Sequence, residues 1–177
     1  IDSNASPMLS HDRTGEHPRG DAGQLILLAI FMAVWLTDSF VLQISTFLAT
    51  AVPLWVRGSL AGLLLIAAGT LVYKSHGVLH VAQGGKRLWT GGVFAHVRHP
   101  MYLGAWLAYF GFVLSTLSLA SLAVLSVIIP FYDRIAAYEE RFLESLFGRE
   151  YTDYKTKVPR WIPRLRAAPK TSGRAAE

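Results

Sequence analysis

The sequence predicts an all-α protein: an integral membrane helical bundle with about four transmembrane helices, the last two a short hairpin, and a cytoplasmic C-terminal helix. Three observations carry this expectation. Hydrophobic residues make up 52% of the chain and charged residues only 16%, a balance shifted from soluble domains towards membrane proteins. The apolar residues gather in runs that approach the roughly 20 residues per helix that a bilayer core demands. Finally, of the 17 Lys and Arg residues all but Arg57 lie in segments that four crossings would leave on one side, the cytoplasmic side by the positive-inside rule.

Taken in order, residues 1–23 are polar, begin without Met and contain Ser3-Asn4-Ala5. They read as a disordered, partly tag-derived tail with Met8 as the native start. The first span runs from about Gln24 to Ser45 with Asp38 as its single charge, the second from about Leu54 to Tyr73 with Arg57 at its entrance. Both are read as helices because lipid offers no partner to unpaired backbone groups. Met101 to Leu114 and Leu117 to Tyr132 are shorter, and Ser115-Thr116-Leu117-Ser118 between them suggests a tight hairpin that barely crosses. The third segment alone also fits a re-entrant helix. Residues 24–163 form one membrane domain, and residues 164–177 read as a disordered basic tail.

The basic excess needs no nucleic-acid partner, because contact with anionic lipid headgroups accounts for it. Trp35, Trp55, Trp89, Trp106 and Trp161 mostly sit near predicted span ends, where amphipathic rings prefer the interface; for any one of them a core role serves equally. Small residues such as Gly58, Gly62 and Gly69 suit close helix packing within the chain or between protomers, which leaves the oligomeric state open. There is no cysteine, which excludes disulfides and thiol nucleophiles and leaves chemistry to His, Glu, Arg and Tyr.

Two polar stretches flank the last two spans. Residues 74–100 hold His76, His80, His96 and His99 together with Gly84-Gly85 and Gly91-Gly92. A helix would bring His76 and His80 to one face, yet a metal centre needs a third ligand of matching spacing, so no metal is expected. Arg98-His99-Pro100 precedes the third span. Pro suits a first helical turn because its missing N–H would be unpaired there. His99 and Arg98 then stand at a helix N-terminus, which favours anions, or they act with Tyr102 as an interfacial anchor.

In the second stretch, residues 133–163, Asp133 is expected to cap a helix running to Phe147, ended by a left-handed Gly148. Ile135, Tyr138, Phe142 and Leu146 recur at helical spacing and predict an apolar face that packs on protein or lipid. Glu139 and Glu140 are turned about 100° from each other, so one can face a ligand while the other faces solvent or a basic partner such as Arg98, Arg134 or Arg141.

Together these residues resemble the membrane methyltransferase superfamily of isoprenylcysteine carboxyl methyltransferases and phospholipid N-methyltransferases. The resemblance rests on Leu88-Trp89, Gly91-Gly92-Val93-Phe94 and Arg98-His99-Pro100-Met101-Tyr102-Leu103-Gly104, followed by Glu139-Glu140, Leu143, Phe147-Gly148, Glu150-Tyr151, Tyr154 and Val158-Pro159. It implies an enzyme dependent on S-adenosyl-L-methionine, with a cofactor half at about residues 74–163. Leu88, Trp89, Phe94, His99, Pro100, Met101 and Tyr102 would line the pocket and Glu139 would hold the cofactor. The acceptor implied is a lipophilic molecule or lipid in the membrane, an isoprenylcysteine carboxylate or an amine-bearing lipid. Methyl transfer from a sulfonium is an in-line displacement, and proximity, orientation and exclusion of water supply most of its acceleration. A carboxylate acceptor requires no base, whereas an ammonium must first lose a proton, for which Glu140 and His96 are the candidates.

One position departs from the pattern. The carboxyl methyltransferases carry an arginine one helical turn before the cofactor glutamate, and here that place is Ile135, with Arg134 one step earlier. Arg134 is the candidate to reach round to a substrate carboxylate. Two other readings compete: an NADPH-dependent membrane reductase of the sterol and steroid type, and a non-enzymatic heme-binding membrane module built on the histidines.

Overall fold

The computed structural model describes residues 20–82 and 88–163. The tails at residues 1–19 and 164–177, the Gly84-Gly85 pair and the side chain of His80 lie outside the described residues. Among those described, every regular element is helical: α1 (Gly20–Leu36), α2 (Leu54–Ala82), α3 (Pro100–Thr116), α4 (Leu119–Phe147) and α5 (Arg149–Lys157). α1 starts before the expected boundary at residue 24, so residues 20–23 are helical rather than tail. A π-helical turn (Thr37–Leu42) prolongs it, and Gln43, with φ 51°, ends it.

The spatial order is α2, α3, α4, α1, each packed on the next. Phe31, Tyr109, Val113, Leu125, Ile128 and Tyr132 form the core where α1, α3 and α4 meet. The outer surface is apolar as well: Leu63 is 65% and Ile66 69% exposed on α2, the inside-out distribution of a protein whose solvent is lipid. Among the described residues, three helical stretches are long and apolar enough to cross a membrane, Ala22–Leu42, Leu54–His76 and Leu119–Phe147. α3, the third of the four expected spans, has 17 residues, about 26 Å at the helical rise against a core of about 30 Å. It lies between α2 and α4, where Gly104 and Gly111 bring it close to α2. A Cβ on Gly104 would come within 2.9 Å of Val72 Cγ2 and 3.2 Å of the Ala68 carbonyl, and one on Gly111 within 3.3 Å of the Ala61 carbonyl. Gly58, Gly62 and Gly69 instead face open space.

At the Thr116 end of α3 a polar clasp joins the helices. Ser118 caps α4 by accepting from the Ser121 N–H, and its own hydroxyl donates to Asp38 at 2.6 Å. Asp38 also accepts the backbone N–H of Ser45, and the Trp35 indole donates to the Phe112 carbonyl at 2.9 Å. These bonds satisfy groups that lipid could not.

α4 corrects two expectations. It runs unbroken through Pro130 and Asp133, so no second helix is capped at Asp133; the apolar stripe of Leu125, Ile128, Tyr132, Ile135 and Ala136 continues across the proline, and its packing outweighs one missing N–H bond. The stripe then reaches Glu140; of the expected apolar face, Ile135 is buried in the protein while Tyr138 and Leu146 lie on the outer surface. Gly148 does have positive φ, 53°, but with ψ −122° it lies outside the left-handed helical region and turns the chain directly into α5. From there Tyr151, Tyr154 and Val158 pack on Leu88, Leu143 and Phe147.

Candidate active site

Pro100 begins α3, and His99 occupies its N-cap position without a side-chain capping bond. The His99 ring lies between two carboxylates of α4 instead. Its Nε2 is 3.1 Å from Glu140 Oε1 and its Nδ1 3.6 Å from Glu139 Oε2. An ionised carboxylate only accepts, so the short contact places the Nε2 proton on His99. The Tyr102 ring stacks on His99, with centroids 5.6 Å apart, and its hydroxyl donates to Glu139 Oε1. Glu139, 23% exposed, thus presents an oriented carboxylate at a partly open position.

Glu140 is 1% exposed and surrounded by cations. Arg160 donates from Nε to Oε1 at 3.0 Å and from Nη2 to Oε2 at 2.7 Å, a bidentate fork. Arg98 Nη1 stands 3.4 Å from Oε1 and Lys155 Nζ 3.8 Å from Oε2. Arg160 further donates from Nη1 to Asp133 Oδ1 at 3.0 Å, and the Trp161 indole donates to the same oxygen at 2.9 Å. The Glu140 hydrogen bond, followed by the opposing cost of burial, sets the Arg160 guanidinium well above its ordinary range. Trp161 packs on Trp106, with centroids 4.2 Å apart, and tilts against His99 at 5.6 Å.

The loop before α3 is fastened to the same unit. The Arg98 N–H donates to the Pro159 carbonyl at 3.0 Å, and the Tyr154 hydroxyl donates to the Phe94 carbonyl at 2.7 Å. Burial raises the Tyr151 and Tyr154 phenols above their usual range. The Arg98 side chain is 9% exposed, and its Nε and Nη1 are buried without hydrogen bonds; the Nη1 contact with Glu140 is therefore an ion contact rather than a hydrogen bond.

The site residues expected from sequence divide accordingly. His99, Tyr102, Glu139 and Glu140 come together with buried Pro100, and Leu88 and Phe94 join them through α5. Trp89 is 44% exposed, Met101 is half-buried, and His96 is half-buried at the end of the Gly92–Ala95 turn. Arg134 is exposed, while Ile135 is buried. Glu140, a candidate base, has both oxygens occupied by Arg160, which leaves it poorly placed to take a proton. Sequence reasoning missed Arg160, Lys155, Asp133 and Trp161 as partners in this cluster. The only signal was an Arg-Trp pair enclosed by Pro159 and Pro163, which also fits an interfacial anchor.

Among the described residues no group of three or more His, Cys, Asp or Glu is placed to hold a metal. No solved structure matches the chain significantly. The chain is 35% identical over 75 residues to a protein-S-isoprenylcysteine O-methyltransferase of Schizosaccharomyces pombe, covering 42% of this chain and 32% of the relative. It is 33% identical over 78 residues to protein-S-isoprenylcysteine O-methyltransferase B of Arabidopsis thaliana, covering 44% and 40%. A probable protein-S-isoprenylcysteine O-methyltransferase of Oryza sativa subsp. indica is 30% identical over 116 residues, covering 59% and 61%. The chain thus spans between 32% and 61% of the length of these curated relatives. The family model for phospholipid methyltransferases matches residues 59–150. That match covers just over half of the chain, from within α2 through α3 and α4 with the paired glutamates, and the chain belongs to the phospholipid methyltransferase family.

Proposed function

We propose that the protein is an S-adenosyl-L-methionine-dependent methyltransferase that modifies a lipophilic, membrane-embedded acceptor at the cytoplasmic face, with both termini on that side. The observation that carries this reading is the Glu139–Tyr102 pair set beside His99 at the mouth of α3. A zwitterionic sulfonium cofactor asks for a carboxylate that is oriented yet reachable, and for apolar and aromatic surface to take its adenine. Glu139 meets the first need, and Leu88, Trp89 and Phe94 in the preceding loop meet the second, so the residues present fit the group.

When bound, the cofactor supplies the electrophilic methyl group. Glu139 pairs with its positive charge, Tyr102 holds that carboxylate in one orientation, and His99 closes the polar wall behind it. Trp106 and Trp161 shield the wall on the α3 side and limit water. The acceptor enters sideways from lipid, along helices whose outer faces are already apolar. Holding the two reactants in line is the main source of acceleration for such a displacement. A carboxylate acceptor needs no base. For an amine acceptor His96 is the proton acceptor that remains, because the oxygens of Glu140 are committed to Arg160. The exposed Arg134 is the candidate contact for a carboxylate headgroup; buried Ile135 supplies no charge at the position expected for it. The methyltransferase names of the relatives support this reading.

Calorimetric titration of detergent-solubilised protein with S-adenosylhomocysteine tests the cofactor class, with NADPH in parallel and Glu139→Ala as control. Saturable binding that Glu139→Ala weakens supports the proposal. Binding of NADPH alone, or of neither ligand by folded protein, overturns it.

A further inference from the structure

The segment Val158–Pro163 follows the last helix and lies beyond the family match, which ends at residue 150. It nevertheless supplies the shortest contacts that Glu140 makes. Arg160 grips both carboxylate oxygens and, through Nη1, the Asp133 carboxylate as well. The Pro159 carbonyl accepts the Arg98 N–H, which fixes the register of the segment against the loop before α3. A planar fork on a carboxylate fixes that carboxylate's plane as well as its charge. Glu140 therefore holds Oε1 towards His99 Nε2, and the imidazole is set with its Nδ1 edge towards Glu139.

We propose that Arg160 is a positioning residue of the cofactor site: through Glu140 it fixes the orientation of the His99 ring, and through the stack of that ring on Tyr102 it orients the Tyr102–Glu139 pair. The inference rests on the methyltransferase reading above, in which Glu139 meets the cofactor. Among the described residues, the charged and titratable groups around His99 and Glu140 include Glu139 and Tyr102, Arg98 from the loop, Tyr151, Tyr154 and Lys155 from α5 and Arg160 from the C-terminal segment. Of the cations among the described residues, only Arg160 makes a two-point contact with Glu140. Loss of Arg98 or Lys155 would remove charge from Glu140 but leave its plane held.

The test compares full-length protein with Arg160→Gln, Glu140→Gln and the double variant in detergent, by S-adenosylhomocysteine calorimetry, thermal melting and nitrogen-15 imidazole spectra. Arg160→Gln is expected to weaken binding about 10- to 100-fold, the range by which groups that orient metal-binding side chains affect metal affinity, taken as the scale for an indirect orienting contact. It should also change the nitrogen-15 shifts of the His99 ring, because Glu140 no longer holds Nε2 in one orientation. Added to Glu140→Gln, it should cost little more, because both act through one path. An Arg160→Gln protein that binds as tightly as the unsubstituted one, or keeps the same His99 spectrum, overturns the inference. So does a loss that repeats in full on top of Glu140→Gln. If Arg160→Gln does not fold, Arg160→Lys keeps the charge without the fork and carries the same test with the same outcomes. Failure of the unsubstituted protein to bind overturns the methyltransferase reading and this inference with it, whereas binding unaffected by the Arg160 variants overturns this inference alone.

Discussion

Glu139 and Glu140 are neighbours in the chain with opposite expected consequences when removed. Glu140→Ala takes away the carboxylate beside Arg98, whose side chain is 9% exposed, and removes the two-point partner of Arg160, which keeps its contact with Asp133. Taking one partner from a buried ion pair costs about 3–5 kcal/mol, because the remaining charge stays desolvated. Glu139→Ala loses the Tyr102 hydrogen bond and a 3.6 Å contact to His99 at a position 23% exposed, a loss of about 1–2 kcal/mol. The assay is unfolding in mixed micelles with a denaturing detergent, followed by circular dichroism, alongside S-adenosylhomocysteine titration of the folded fraction. Glu140→Ala should be the less stable variant by about 1–4 kcal/mol, from the difference of those two costs. Glu139→Ala should stay folded and lose the ligand. Equal destabilisation, or the reverse order, would refute the assignment of Glu140 as the anchor and Glu139 as the ligand-facing group.

Three further outcomes follow from the packing. Gly104→Ala sets a methyl group against the Ala68 carbonyl and Val72 and should cost about 1–3 kcal/mol by overpacking, whereas Gly58→Ala, facing open space, should cost nothing; the same unfolding assay compares them. Asp38→Ala strands the hydroxyl of Ser118 and the N–H of Ser45 and should cost about 1.5–3 kcal/mol, with ligand affinity unchanged in the folded fraction because the clasp sits at the far end of α3. Alkaline pH should destabilise the C-terminal unit. Tyrosines in the unfolded chain release protons near pH 10, but buried Tyr151 and Tyr154 hold theirs to higher pH. The unfolded state then binds fewer protons, so stability falls as pH rises above that value. Tyr151→Phe should reduce this slope in a pH series of melting curves.

Local punctuation made much of the fold legible. Leu54 and Pro100 start helices where the sequence places them, the second because proline suits a first helical turn, whereas Leu117, the expected start of the fourth span, is the left-handed cap of α3, and α4 begins at Leu119 after Ser118. The continuity of α4 was not legible. Pro130 and Asp133 carry local stop and cap signals that packing overrides, and without the neighbouring helices the buried stripe cannot be told from one shifted onto Tyr138 and Leu146. The meeting of His99, Tyr102 and Glu139 was anticipated from the ordered motifs of the resemblance, not from physics at any one position. Arg160 was not anticipated, because its partner Glu140 lies 20 residues away in sequence and is reached only after the Gly148 turn and α5 fold the chain back. Nothing local in Pro159-Arg160-Trp161 distinguishes a buried fork from a guanidinium at a membrane surface.

The central claim is methyl transfer into the membrane, and one measurement meets it directly. Membranes containing the protein, or its Glu139→Ala variant, are given S-adenosylmethionine labelled with tritium in its methyl group, and the label extracted into organic solvent is counted. The account predicts time-dependent label in the lipid fraction with the unsubstituted protein and its loss with Glu139→Ala. Equal label in both membranes, or none above that of membranes lacking the protein, would contradict it.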